Sequence, residues 1–108
     1  MRARVLLFAY GTLLDPGVQR RVFGREVAVT PARLMGWAVK QNFVHGRYPG
    51  IVATKDGNTA GGLLRITANE LAGADAYEDA PKLYRRVRVT VRAGAKRLRC
   101  WVYASTQG

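Results

Sequence analysis

The segment from Arg4 to Tyr10, with Val5-Leu6-Leu7-Phe8-Ala9 at its centre, is a continuous apolar run of β-compatible residues that stops at Gly11. A run without a polar face predicts a central strand covered on both sides. With 108 residues, 48% of them apolar, the chain has material for a single core and reads as one domain over residues 1–108. Arg2 and Arg4 ahead of the run resemble the start of a secretory signal, but the run is too short, breaks into Tyr10-Gly11-Thr12 and lacks a small-residue cleavage pattern. No stretch approaches the roughly 18 apolar residues of a membrane span, so a soluble protein is expected.

The rest of the chain alternates strands with two helices. Asp15-Pro16 supplies a capping acid and a proline at the first helical position, and Val18 and Val22 lie four apart, which predicts a short helix ending near Gly24. Val27 to Val39 reads as a long or bulged strand with breaks at Pro31 and Gly36. Gln41 to Pro49 reads as an irregular loop, and Ile51-Val52-Ala53 as a strand that meets a turn at Asp56-Gly57-Asn58. Gly61 to Ile66 is a further strand. Thr67, with Glu70 three residues on, forms a capping box for a helix running to about Asp79, on which Leu71, Ala74 and Glu78 share a face. Tyr84 to Val91, where Val87, Val89 and Val91 alternate with Arg86, Arg88 and Thr90, and Leu98 to Tyr103 make a closing hairpin turned at Ala93-Gly94-Ala95. The sum is a strand-rich α+β domain with a curved or closed sheet, one short helix and one longer one.

Scarcity narrows the chemistry. The lone Cys100 cannot form an internal disulfide, which favours a reducing, cytoplasmic setting, and one cysteine with one histidine cannot build a zinc finger or ribbon. No metal site is expected. A Ser-His-acid triad would have to use His45 together with Ser105 near the end of the chain. His45 reads instead as a loop residue and Cys100 as a packed strand residue. Carboxylates, tyrosines and lysines remain for acid/base work, and Asp75, Glu78 and Asp79 cluster at the end of the second helix.

Two places invite chemistry. At Tyr10-Gly11-Thr12-Leu13 a glycine ends a buried strand, where successive backbone N–H groups can converge on a carboxylate or phosphate; an ordinary strand-to-helix turn is the simpler reading. Glu78 is a carboxylate on a partly apolar helix face, where desolvation raises its pKa toward a useful range. A solvated helix end, or an ion pair with Arg85 or Arg86, is the alternative. Negative charge near a helix C-terminus opposes the helix dipole, so local stability does not account for this acidic cluster.

Phe8-Ala9-Tyr10-Gly11-Thr12-Leu13, Tyr48-Pro49-Gly50-Ile51-Val52, Gly61-Gly62-Leu63-Leu64 and Asp75-Ala76-Tyr77-Glu78 followed by Tyr84-Arg85-Arg86-Val87 together resemble the γ-glutamylcyclotransferase-like family, which includes γ-glutamylamine cyclotransferases and AIG2-like proteins. Their order covers nearly the whole chain. The resemblance implies a small β-barrel-like curved mixed sheet with helices packed around it. It implies that Tyr10, Gly11, Thr12 and Leu13 bind a γ-glutamyl group largely through backbone groups, with Tyr48, Pro49, Gly50 and Tyr84 also on the substrate side. It makes Glu78 the acid/base of an intramolecular aminolysis that releases 5-oxoproline and an amine, without a cofactor.

The formal net charge of +11 points to an anionic partner without choosing one. Arg86, Arg88 and Arg92, with Arg97 and Arg99 beside them near Trp101 and Tyr103, could form a nucleic-acid platform. A solvated, arginine-rich outer face is the favoured reading, because no RNA- or DNA-binding signature accompanies the charge. A non-catalytic relative that binds a small acidic ligand is a further alternative. Oligomeric state is not legible.

Overall fold

The structure, a computed structural model, describes residues 4–44 and 48–105. The elements run β1 (Val5–Ala9), a 3-10 turn (Thr12–Leu14), α1 (Pro16–Phe23), β2 (Val29–Val44), β3 (Tyr48–Ile66), α2 (Ala68–Tyr77), β4 (Tyr84–Ala93) and β5 (Lys96–Ser105). His45 lies outside the described residues.

The five strands close into a barrel in the order β1-β3-β2-β4-β5. The β1–β5 pair is parallel and the others antiparallel, so the sheet is mixed, as expected. The ring closes through Arg33–Arg92 between β2 and β4 and through Leu7–Trp101 and Phe8–Val102 between β1 and β5, so the two ends of the sheet pair with each other.

Alternation along the strands divides the apolar residues into two cores. One fills the barrel interior and includes Phe8, Leu34, Ile51, Leu63, Val91, Cys100 and Val102. The other lies between the outer wall and the two helices and includes Leu7, Leu64, Ile66, Leu71, Ala74, Tyr84 and Tyr103. β1 contributes Phe8 to the first and Leu7 and Ala9 to the second, which is why its apolar run is continuous.

Both helices begin and end on local chemistry. The Asp15 side chain accepts from the Val18 N–H at 3.1 Å, Pro16 opens α1, and Gly24 closes it with φ 76°. At α2, Thr67 accepts from the Glu70 N–H at 3.1 Å while Glu70 accepts from the Thr67 N–H at 2.8 Å, completing the expected capping box. Glu70 also holds Arg25 at 2.7 Å, and the hydrogen bond from Arg25 pulls the carboxyl down to about 2.

Three expectations are corrected. Asp56-Gly57 does not reverse the chain: Met35 faces Asn58 and Trp37 faces Ala53, so residues 54–57 of β3 oppose Gly36 alone in a wide bulge. A side chain at Gly57 would collide with the Trp37 backbone, so this close approach requires glycine. The expected loop from Gln41 to Pro49 is also mostly strand, because β2 continues to Val44 and β3 begins at Tyr48, with Val44 opposite Tyr48. Local turn residues are outweighed here by the pairing of two long strands. Pro31 fits within β2 opposite Gly62, without a break in the β2–β3 register.

Candidate functional site

At the barrel end where β1 and β5 finish and β4 begins, the surface opens into a cavity of about 680 Å³. Tyr10, Gly11, Thr12 and Leu13 form one wall, Glu78 and Tyr77 another, and Pro49, Tyr84, Tyr103 and Gln41 complete the rim with Leu83. Phe8 and Ala9 lie at its base. The carboxylate and the loop picked out in the sequence, far apart in the chain, thus share one concavity.

The loop is positioned from behind. The 3-10 turn uses the N–H groups of Leu14 and Asp15, bonded to the Gly11 and Thr12 carbonyls at 3.1 and 2.9 Å. The N–H groups of Gly11, Thr12 and Leu13 precede its first bond and have no partner within the turn. Buried Gln19, on α1, donates to the Leu13 carbonyl at 2.9 Å and accepts from the Val27 N–H at 2.8 Å. One amide therefore locks the end of the loop to the helix and to the chain that follows it. The Thr12 hydroxyl lies 2.7 Å from the Tyr77 hydroxyl, joining the loop to the end of α2.

Glu78 caps the C-terminus of α2, its N–H bonded to the Ala74 carbonyl at 2.9 Å. The apolar face of α2 packs Leu71 and Ala74 into the core, and Glu78, one turn on, is drawn in with them. Burial raises its carboxyl to about 7, and among the described residues no cation or hydrogen-bond donor acts in the other direction. Glu78 is therefore not an ion pair with Arg85 or Arg86. Arg86 instead pairs with Asp75 at 2.8 Å, and Tyr103 donates to the same Asp75 oxygen at 2.7 Å.

Two of the cavity tyrosines are held by backbone carbonyls. Tyr10 donates to the Tyr103 carbonyl at 2.7 Å, and Tyr84 to the Pro49 carbonyl at 2.7 Å. Burial pushes the Tyr10 and Tyr103 phenols well above their ordinary range, so both remain protonated donors. The cavity is thus walled by fixed aromatic rings around Glu78, the one titrating carboxylate among the described lining residues.

Of the residues singled out in the sequence, Tyr10, Gly11, Thr12, Leu13, Pro49, Glu78 and Tyr84 line the cavity. Gly50 does not line it: it is buried in the β2–β3 ladder opposite Lys40. Of Tyr48 only the backbone is described, in β3. Gln41 and Tyr103 were not singled out for the substrate side, because it is strand pairing that brings them to this end, and Leu83 was not because it sits in the turn ahead of β4, its N–H bonded to the Asp79 carbonyl. Gln19 was also missed, and its only sequence signal is a polar residue one position after Val18 on a short amphipathic helix. Cys100 faces the barrel interior, where burial raises its thiol to about 11, as befits a packed rather than a reactive cysteine. Among the described residues no cluster of His, Cys, Asp and Glu could hold a metal ion, and no helix is long and apolar enough to cross a membrane.

The fold and the sequence have known counterparts. Residues 7–108 match the family model described as gamma-glutamyl cyclotransferase, AIG2-like. A protein of Arabidopsis thaliana solved in solution superposes with a TM-score of 0.85 at 25% identity, covering 97% of this chain and 64% of its own. A structure described as a gamma-glutamyl cyclotransferase gives 0.83 at 19% identity, covering 95% of this chain and 67% of that one. An AIG2-like protein of Mus musculus gives 0.80 at 18% identity, covering 99% and 80%. The chain therefore spans 64% of the Arabidopsis protein's length and more of the other two. No curated protein sequence matches it significantly. The match of residues 7–108 and the shared barrel lead to one conclusion: the chain belongs to the AIG2-like gamma-glutamyl cyclotransferase family.

Proposed function

We propose that the chain is a γ-glutamyl cyclotransferase that acts on a γ-glutamyl amine or γ-glutamyl amino acid, releasing 5-oxoproline. The observation that carries this reading is the placement of Glu78, raised to about 7, in the same cavity as the Tyr10–Leu13 loop. A carboxyl at that value is largely ionised just above neutrality, yet returns a proton readily, the behaviour required of a single acid/base.

In the proposed reaction the N–H groups of Gly11, Thr12 and Leu13 hold the substrate's α-carboxylate. The γ-glutamyl chain is folded so that its own α-amine lies against the γ-carbonyl. Glu78 takes a proton from the α-ammonium group, and the freed lone pair attacks the γ-carbonyl, forming the C–N bond of the five-membered ring. As the tetrahedral intermediate collapses, the original amide C–N bond breaks. Glu78 returns its proton to the departing nitrogen, which also takes up the second proton shed by the ring nitrogen. The nucleophile belongs to the substrate, so neither serine, cysteine nor histidine is required of the protein. Tyr10 and Tyr84, held rigidly by carbonyls, keep the substrate side of the cavity in shape.

Incubation with a panel of γ-glutamyl amines and γ-glutamyl amino acids tests this reading. Release of 5-oxoproline from at least one supports it. Thermal stabilisation by panel members without any turnover would replace it with a non-catalytic ligand binder.

A further inference from the structure

The outer wall of the β4–β5 sheet has two ends. Toward the cavity, Tyr84 and Tyr103 are buried against the helices and Trp101 is half-buried beside them. Away from the cavity, the outward positions are Arg88 and Arg92 on β4, Arg97 and Arg99 on β5 and Arg33 on β2, all exposed. Arg92 lies directly opposite Arg97 in one register and opposite Arg33 in the other, so three arginines form a row across three strands. Arg99 stands opposite Thr90, and Arg88 opposite Trp101.

Like charges directly opposite one another destabilise a sheet, so folding does not account for this row. Among the described residues no carboxylate forms an ion pair with it. Arg20–Glu26, Arg25–Glu70 and Arg86–Asp75 pair away from these five arginines. Of the remaining acids, Asp15 caps α1, Glu78 lines the cavity and Asp79 follows α2, while Asp56 sits in the β3 bulge beside Asn58, whose side chain accepts from Arg33 at 3.0 Å.

We propose that this arginine face is a second functional surface, which docks on nucleic acid through the phosphodiester backbone. Charge complementarity carries the assignment. Guanidinium groups grip phosphate oxygens bidentately, and the five positions spread over about 10 Å across the strands and about 14 Å along them, enough to meet several phosphates. The Trp101 ring is already engaged, with the Arg86 and Arg88 guanidiniums 4.6 and 4.5 Å from its centroid. It therefore orients arginines rather than stacking on bases, and recognition is independent of sequence. A bilayer is a poorer fit. Surface attachment relies on buried apolar area, and among the described residues the large exposed apolar side chain beside this face is Met35 alone.

Fluorescence anisotropy with a short labelled DNA duplex of mixed sequence tests the proposal on the full chain. The plot of log affinity against log salt should have a slope of about −0.9 per phosphate met, near −4 to −5 for the whole face. Affinity then falls by a few hundred-fold between about 50 and about 200 mM salt. Arg92→Gln with Arg97→Gln should reduce the slope by about 2 units. Arg21→Gln with Lys55→Gln, which removes the same charge elsewhere, should leave the slope close to that of the parent. Unchanged melting temperatures show that both pairs fold. The proposal is overturned if the duplex fails to bind at about 50 mM salt, or if both double variants weaken binding equally. It is also overturned if anionic phospholipid vesicles bind while the duplex does not. None of these readouts involves Glu78, so the proposal stands or falls separately from the enzymatic reading.

Discussion

Gln19 is buried, and its side-chain amide donates to the Leu13 carbonyl at 2.9 Å, so a helix residue fixes the last residue of the cavity loop. The same amide accepts from the Val27 N–H, which makes it a bracket with two buried backbone partners. Gln19→Leu keeps the approximate volume and removes both bonds. Each partner left unsatisfied costs about 1–3 kcal/mol, so the variant should lose about 2–6 kcal/mol in denaturant unfolding. The proposed function adds a second effect: in the folded fraction kcat/KM should fall, because the loop donors are no longer held in place.

Asp75 joins α2 to the sheet one turn before Glu78, by accepting from Tyr103 and pairing with Arg86. Asp75 and Arg86 are both partly exposed, so solvent weakens the pair, and Asp75→Asn should cost only about 1 kcal/mol. Its larger effect should be on position. The C-terminal turn that carries Glu78 loosens, and kcat should fall several-fold with little change in KM, as steady-state kinetics would report.

Placing a carboxylate in a partly apolar cavity also costs stability in a pH-dependent way. The Glu78 carboxyl stands near 7 in the folded chain against an ordinary value of 4.5, so between those pH values the folded state keeps a proton that the unfolded chain has lost. Stability contributed by this group therefore falls as pH rises through that window. Glu78→Gln removes the penalty and should unfold less readily than the parent at about pH 8, by at most about 3 kcal/mol. The difference should vanish below about pH 4.5, where the glutamate is neutral in both states. Chemical denaturation at the two pH values measures it directly.

The local features of this fold were legible because neighbouring residues settle them. Asp15-Pro16, Gly24 and the Thr67–Glu70 box delimit the helices from a few positions each. The alternation of Val87, Val89 and Val91 with arginines placed β4 correctly, since one side faces the barrel interior. The Asp56-Gly57 bulge was not legible, because the same residues signal a turn and only the partner strand decides between them. For Glu78, its spacing from Leu71 and Ala74 foretold the shared face, while the shared cavity with Tyr10–Leu13 depends on strand order, which no local pattern encodes. The arginine face was visible as alternation, but the Arg33–Arg92–Arg97 row needed the register of three strands.

If Glu78 begins the reaction as a base, activity must follow its ionisation. kcat/KM should rise with pH through an apparent value of about 7 and then level off, until the substrate amine or another group intervenes. Glu78→Asp, which keeps a carboxylate but withdraws it, should retain weak activity. A flat profile between pH about 5.5 and about 8 would mean that this carboxyl does not titrate in the rate-limiting step.

The most direct measurement compares 5-oxoproline release by the parent chain and by Glu78→Gln, on the same γ-glutamyl substrate slightly above neutral pH, with both shown to be folded. Loss of the acid/base should reduce turnover by about 10²–10⁴-fold while leaving thermal stabilisation by the substrate in place. Equal release by the two proteins would contradict the account, because the cavity would then perform its chemistry without the Glu78 carboxylate that lines it.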